Sequence, residues 1–209
     1  MKLLSIQIGQ PRTVSYNNRL VKTSIFKESI DGPVKVGKLG ITGDTQSDLT
    51  VHGGQFKAVY AYPTEHFEYW KVTTPQHSFS NGSFGENLST QGMLETEVSI
   101  GDVFEIGSVV LRVSQPRFPC YKLGVKFGDS QMVKHFYDSL KSGIYFEVLE
   151  EGMIEAGDEI VMKSKSGGTS IHDFVMAKNS NGSDKLRINK LLVDPHLIDE
   201  WKEYFEQKR

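Results

Sequence analysis

Over residues 1–62, short apolar runs alternate with glycine-marked breaks: LLSIQI, VKTSIF, PVKVGKLGI and AVYAY. Runs this short, separated by turn residues, read as strands. At 98–115 the stretch VSIGDVFEIGSVVLRVSQ gives two more strands about a turn at Ile106–Ser108. In the second of these, Val109, Leu111 and Val113 face one way while Val110, Arg112 and Ser114 face the other. IYFEVLEEGMIEAGDEIVMK adds a further pair, and its AGDEI loosely repeats the earlier IGDVF, a turn that launches a strand in both places.

Helical spacing is confined to a few segments. PTEHFEYWKV at 63–72 predicts a short helix with Pro63 in its first turn and Phe67 and Trp70 on one side. Residues 129–142 predict a better one, capped by Asp129 or Ser130, striped by Met132, Val133, Phe136, Tyr137 and Leu140, and ended by Gly143. After the polar linker KSKSGGTS at 163–170 the pattern turns wholly helical. Ser170 caps IHDFVMAKN, Ser183 caps DKLRINKLL, and Asp194-Pro195 opens a helix with Leu197, Ile198, Trp201, Tyr204 and Phe205 on one face. Short strands without a βαβ alternation predict a mainly β, antiparallel, barrel-like body over residues 1–165 and a three-helix appendage over 166–209. So short an appendage rarely folds alone, so it must dock on the barrel or on a second subunit, as in a homodimer.

Composition narrows the function classes. With Lys+Arg 24 against Asp+Glu 26, the formal charge of −2 gives no global attraction to nucleic acid or to an anionic membrane. One cysteine excludes an intramolecular disulfide and any multi-cysteine zinc or iron–sulfur site made by this chain alone. The N-terminal segment MKLLSIQIGQPR is too short in apolar residues for a signal peptide or a span, which points to a cytoplasmic protein.

Three polar, glycine-containing segments stand apart from the core-building ones. GDTQSDLTVHGGQFKAVYAY places His52 beside Gly53-Gly54, a pair whose backbone amides can approach a ligand. SFGENLST carries Glu86 and Asn87. QPRFPCYKLG holds the one cysteine, Cys120, whose approach is stiffened by Pro116 and Pro119 and which is flanked by Arg117 and Lys122. A free cysteine is ordinarily a small buried hydrophobe, yet cationic neighbours are the setting in which a thiolate serves as nucleophile or metal ligand. A Cys120 pair with His52 or His135 would suit nucleophilic catalysis. The sequence has no G-x-S-x-G, H-E-x-x-H, C-x-x-C or P-loop motif to indicate serine-hydrolase, zinc-protease, dithiol or nucleotide chemistry.

DTQSDLTVHGG, FGENLSTQGM and QPRFPCYKLG, in this order and at this spacing, resemble the MOSC family, named for the C-terminal domain of molybdenum cofactor sulfurase. The likeness is greatest to the bacterial YiiM-type subgroup, in which a three-helix extension follows the MOSC domain. The resemblance implies a β-barrel, a bound molybdenum cofactor, and a cysteine that ligates the metal or carries sulfur, a position Cys120 matches. It further implies reduction of N-hydroxylated compounds such as hydroxylaminopurine-like bases, amidoximes or N-oxides. On that reading His52 is the proton donor and an external reductase or ferredoxin-like protein supplies electrons, since the chain shows no flavin, haem or iron–sulfur motif. Gly53, Gly54, Arg117 and Lys122 are then candidates for the cofactor phosphate, and Asn87 for the pterin edge. The alternative is a non-redox carrier of the cofactor, or of a Cys120 persulfide.

Overall fold

The computed structural model describes residues 1–46 and 53–209. The N-terminal region supplies β1 (Lys2–Ile8), a β2–β3 hairpin (Arg12–Tyr16 and Arg19–Thr23), β4 (Glu28–Ile30), β5 (Val34–Gly37) and β6 (Gly40–Ile41). β7 (Val59–Pro63), α1 (His66–Thr73), β8 (Leu88–Gln91), β9 (Val103–Ile106) and β10 (Val109–Pro116) follow. α2 (Tyr121–Phe127), α3 (Gln131–Ser139), β11 (Ile144–Glu150), β12 (Gly152–Ile154) and β13 (Ile160–Ser164) complete the body. The tail is α4 (Ile171–Asn179), α5 (Lys185–Leu192) and α6 (Asp199–Glu206).

An eight-stranded sheet runs β13-β9-β10-β11-β7-β8-β1-β4. Its neighbours are antiparallel except β7 and β8, which pair in parallel with Ala61 opposite Leu88. β12-β5-β6 form a second, smaller sheet. The expected barrel is not formed as a closed ladder among the described residues: the two end strands of the large sheet do not pair. The nearest approach to closure is the single bridge Lys2↔Glu159, where the start of β1 meets the chain entering β13. The fold is therefore sheet-dominant and mixed. Among the described residues, no helix is long and apolar enough to cross a membrane.

Alternation decides which strand faces are buried. Val109, Leu111 and Val113 of β10 are essentially inaccessible, as are Ile144, Phe146 and Val148 of β11 opposite them. The tail belongs to the same core: Ile171, Phe174, Ile188, Leu191 and Phe205 pack in one cluster with the sheet. Docking on its own sheet thus answers the question left open for the tail's apolar stripe. The polar linker is strapped down as well, with Ser166 N–H donating to Asp102 (2.8 Å) and Thr169 N–H to Asp194 (2.6 Å).

Several expected boundaries move. Pro63 ends β7 instead of opening α1. α3 ends at Leu140, left-handed at φ 60°, before Gly143. Ser170 caps α4 through Asp173 N–H as expected, but Asp184, one residue after Ser183, caps α5. Asp194 braces the linker, and α6 begins only at Asp199.

Candidate functional site

The site is built where β10 gives way to α2. β10 ends at Pro116, and Pro119 has no N–H to donate, so residues 117–120 cross to α2 without regular structure. Cys120 is then the N-cap of α2 at φ −119°, ψ 173°, half-buried. α2 carries no periodicity signal in the sequence, because its seven residues are too few for one.

Beneath the segment lies a second hydrophobic cluster, rich in aromatics: Tyr60, Tyr62, Trp70, Phe84 and Phe136. Trp70 and Phe136 stack at 6.0 Å, and the Trp70 indole N–H donates to the Tyr62 hydroxyl at 2.6 Å. Offset and edge contacts of this kind add about 0.5–1.5 kcal/mol per pair beyond area burial, so the cluster is a rigid floor. Arg117 is turned onto it. Its guanidinium carbon sits 4.8 Å from the Phe136 ring centre and 5.5 Å from that of Tyr60.

A cleft of about 650 Å³, counted out to its mouth, opens over this floor. Its lining brings together Asn87 with Arg117, Cys120 and Lys122, from two of the three polar segments. Lys27, Lys57, Arg117 and Lys122 face a single carboxylate, Asp44, among the described lining residues. The field in the cleft therefore favours an anion. Gly53 and Gly54 do not line it. Gly54, at φ 93°, instead accepts from Lys57 N–H (3.0 Å) and starts a 3-10 turn that carries Lys57 to the cleft. His52 lies outside the described residues, and His135, on α3, lines no part of the cleft.

Two polar arrangements meet there. In the first, Lys27 is clamped by both Asp44 oxygens at 2.5 and 2.6 Å. Asp44 also accepts from Gly9 N–H (2.7 Å) and from the Asn87 side chain (2.9 Å). Asn87 further donates to the Gln7 carbonyl (3.3 Å) and accepts from Tyr60 N–H (3.2 Å). Both its amide hydrogens are committed, so it braces the wall and has none to offer a pterin edge. Burial pulls the Lys27 ammonium below its ordinary pKa against the opposing pull of Asp44. Glu86 is fully buried; burial raises its carboxyl, countered by N–H donors including those of Gly82 (2.6 Å) and Phe84 (2.9 Å).

The second arrangement is unsatisfied. Arg117 is 6% exposed, and its Nη1 is buried without a hydrogen-bond partner. It is the one such atom on a charged side chain among the described residues. Its neighbour is Tyr145; burial raises the tyrosine's pKa, with Arg117 opposing and Cys120 adding to the rise. Leaving a buried charged donor unpaired costs more than an ordinary lost hydrogen bond, so the geometry asks for an anion. No three His, Cys, Asp or Glu side chains gather to cage a metal ion among the described residues. One soft thiol beside an anion socket suits a metal that arrives with its own phosphate-bearing organic ligand. The residues present fit the molybdenum cofactor. Composition gave no hint of Lys27, Asp44, Tyr60 or Tyr145, because only the fold brings them to the cleft.

The model of the MOSC domain matches residues 48–161. The uncharacterized protein YflK of Bacillus subtilis (strain 168) is 36% identical over 99% of this chain and 94% of its own length. Protein YiiM of Escherichia coli (strain K12) is 32% identical over 90% of this chain and 84% of its own. Among solved structures, YiiM from Geobacillus stearothermophilus superposes with a TM-score of 0.82 at 34% identity, covering 99% of this chain and 98% of that one. The structural likeness spans the tail helices as well as the sheet. The chain belongs to the MOSC domain family, a family associated with the molybdenum cofactor, and it resembles the YiiM proteins over nearly its whole length.

Proposed function

We propose that the cleft holds the molybdenum cofactor, with Cys120 giving a thiolate to the metal and Arg117 and Lys122 facing its phosphate, and that the protein reduces N-hydroxylated compounds. The observation that carries this reading is the unpartnered Nη1 of buried Arg117 beside the one thiol of the chain. A protein of Gibberella moniliformis described as a reductase, 33% identical over 76% of this chain, supports a redox role; this chain matches 28% of that longer protein.

When bound, the cofactor supplies the two-electron redox couple. In the overall reaction the N–O bond of R–NH–OH breaks, two electrons and two protons enter, and R–NH2 and water leave. The electrons are assigned to a separate reductase or ferredoxin-like partner. Arg117 and Lys122 bind and orient by charge. Tyr145 keeps its hydroxyl proton through neutral pH, because burial raises its pKa, and so presents an O–H donor near Cys120. His52 keeps its assignment as proton donor.

The test is protein made in a cofactor-competent host, assayed for molybdenum, for pterin, and for turnover of benzamidoxime with a reduced viologen donor. Cys120→Ser should lose the metal and turnover while unfolding within about 1–2 kcal/mol of wild type. Full metal content in that variant would refute the ligand assignment. Bound metal with no turnover by wild type would favour the carrier alternative.

A further inference from the structure

The tail helices do more than close the core. A second cleft, about 790 Å³ to its mouth, adjoins the first at Cys120. It shares Lys57, Cys120 and Tyr145 with the first cleft, and its remaining wall includes Phe118, Lys178 and Trp201. Lys178 and Trp201 come from α4 and α6, so the extension helps to line a cleft that Cys120 also lines.

Trp201 is held in place. Its indole N–H donates to Gln115 Oε1 at 2.8 Å, and its ring lies 5.3 Å from Phe118 and 5.2 Å, edge-on, from Phe174. The ammonium of Lys178 sits 5.7 Å from the centre of the Phe118 ring and 4.8 Å from that of Tyr204. No carboxylate pairs with it among the described residues, whereas Lys57 has Glu200 at 3.7 Å. The cleft thus offers fixed aromatic surfaces and one uncompensated cation, with the thiol at its junction with the first cleft. A cofactor in one cleft and a substrate in the other would meet at Cys120.

We infer that this second cleft is the substrate subsite and that it selects planar aromatic N-hydroxy compounds bearing an anionic group, with the ring against Trp201 and Phe118 and the anion on Lys178. The inference rests on the N-hydroxy reductase reading for its chemistry, but binding can be measured apart from it. The chain has two tryptophans, and Trp70 is fully buried, so Trp201 is the fluorophore at the cleft.

Full-length protein without cofactor is titrated with 4-carboxybenzamidoxime and with benzamidoxime while tryptophan fluorescence is followed. Saturable quenching by the carboxylate probe is expected, with Kd raised about fivefold or more in Lys178→Gln, near wild type in Lys178→Arg, and no saturable signal in Trp201→Phe. Benzamidoxime should bind more weakly and ignore the Lys178 change. Absence of saturable quenching, equal affinity for both probes, or loss of the preference in Lys178→Arg as well would overturn the inference. In cofactor-loaded protein, Lys178→Gln should raise KM for the carboxylate substrate with kcat kept. Binding without turnover would sink the reductase reading and leave the subsite standing. Turnover indifferent to both residues would do the reverse.

Discussion

Lys27, with its side chain 9% exposed, and Arg117, 6% exposed, are cations of one cleft, and they are treated in opposite ways. Lys27 has a bidentate carboxylate whose oxygens are further tied to Gly9 and Asn87. Arg117 has rings beneath it, the Tyr145 hydroxyl beside it and a buried nitrogen with nothing to donate to. A buried charge is tolerable when paired and expensive when not. The first cation is therefore finished by folding, and the second is finished only by a ligand. The contrast separates residues that merely line the cleft from those that would bind in it.

The largest effect should come from breaking the finished pair. Asp44→Ala strands the Lys27 ammonium with almost no access to water, a loss of about 3–5 kcal/mol in urea unfolding. A loss below about 1 kcal/mol would mean that Lys27 finds another partner or reaches solvent, and the comparison would collapse.

At the unfinished cation the same kind of change should do little to the fold. Arg117→Met keeps an unbranched stem over Phe136 and removes the orphaned donor, so stability should stay within about 1 kcal/mol of wild type. What it should lose is anion binding: a charge-assisted contact contributes about 1.5–3 kcal/mol, so affinity should fall about tenfold or more. Added inorganic phosphate should raise the melting temperature of cofactor-free wild type by mass action and leave the variant unmoved. Equal phosphate responses would make Arg117 a packing residue.

The sequence carried the parts of this picture that depend on local pattern. Alternation in 98–115 located β9 and β10, and helical spacing located α1, α3 and the three tail helices, because each repeats a burial period over several residues. Cys120 stood out by being alone of its kind. The parallel β7–β8 pair and the missing barrel closure were not legible, since pairing partners are set by long-range register, which periodicity does not encode. Nor was the difference between Asn87 and Arg117. Both are polar residues in glycine- or proline-rich segments, and only their partners show that one amide is spent and one guanidinium is not. Trp201 read as part of an apolar stripe, which it is, but its indole edge also meets Gln115 at the second cleft.

Lys126 lies between the two extremes and gives the smallest and sharpest test. Its ammonium donates to the carbonyls of Ile25 (3.1 Å) and Gly82 (2.7 Å), neutral acceptors in place of a carboxylate. Burial lowers its pKa to about 8 from 10.5, against the upward pull of Glu86. Between those two values the unfolded chain holds a proton that the folded one has released, so stability from this group rises with pH across that window. The contribution is fully present above the unfolded value and is lost as pH falls through about 8. Lys126→Met removes the titration, and the tyrosines, common to both proteins, cancel in the comparison. The stability of wild type relative to Lys126→Met should therefore climb from about pH 8 to 10.5, by at most about 1.4 kcal/mol per pH unit, and be flat just below that window. A flat difference throughout would show that the carbonyl pair and Glu86 hold the proton as firmly as water does, and that neutral acceptors can finish a buried cation.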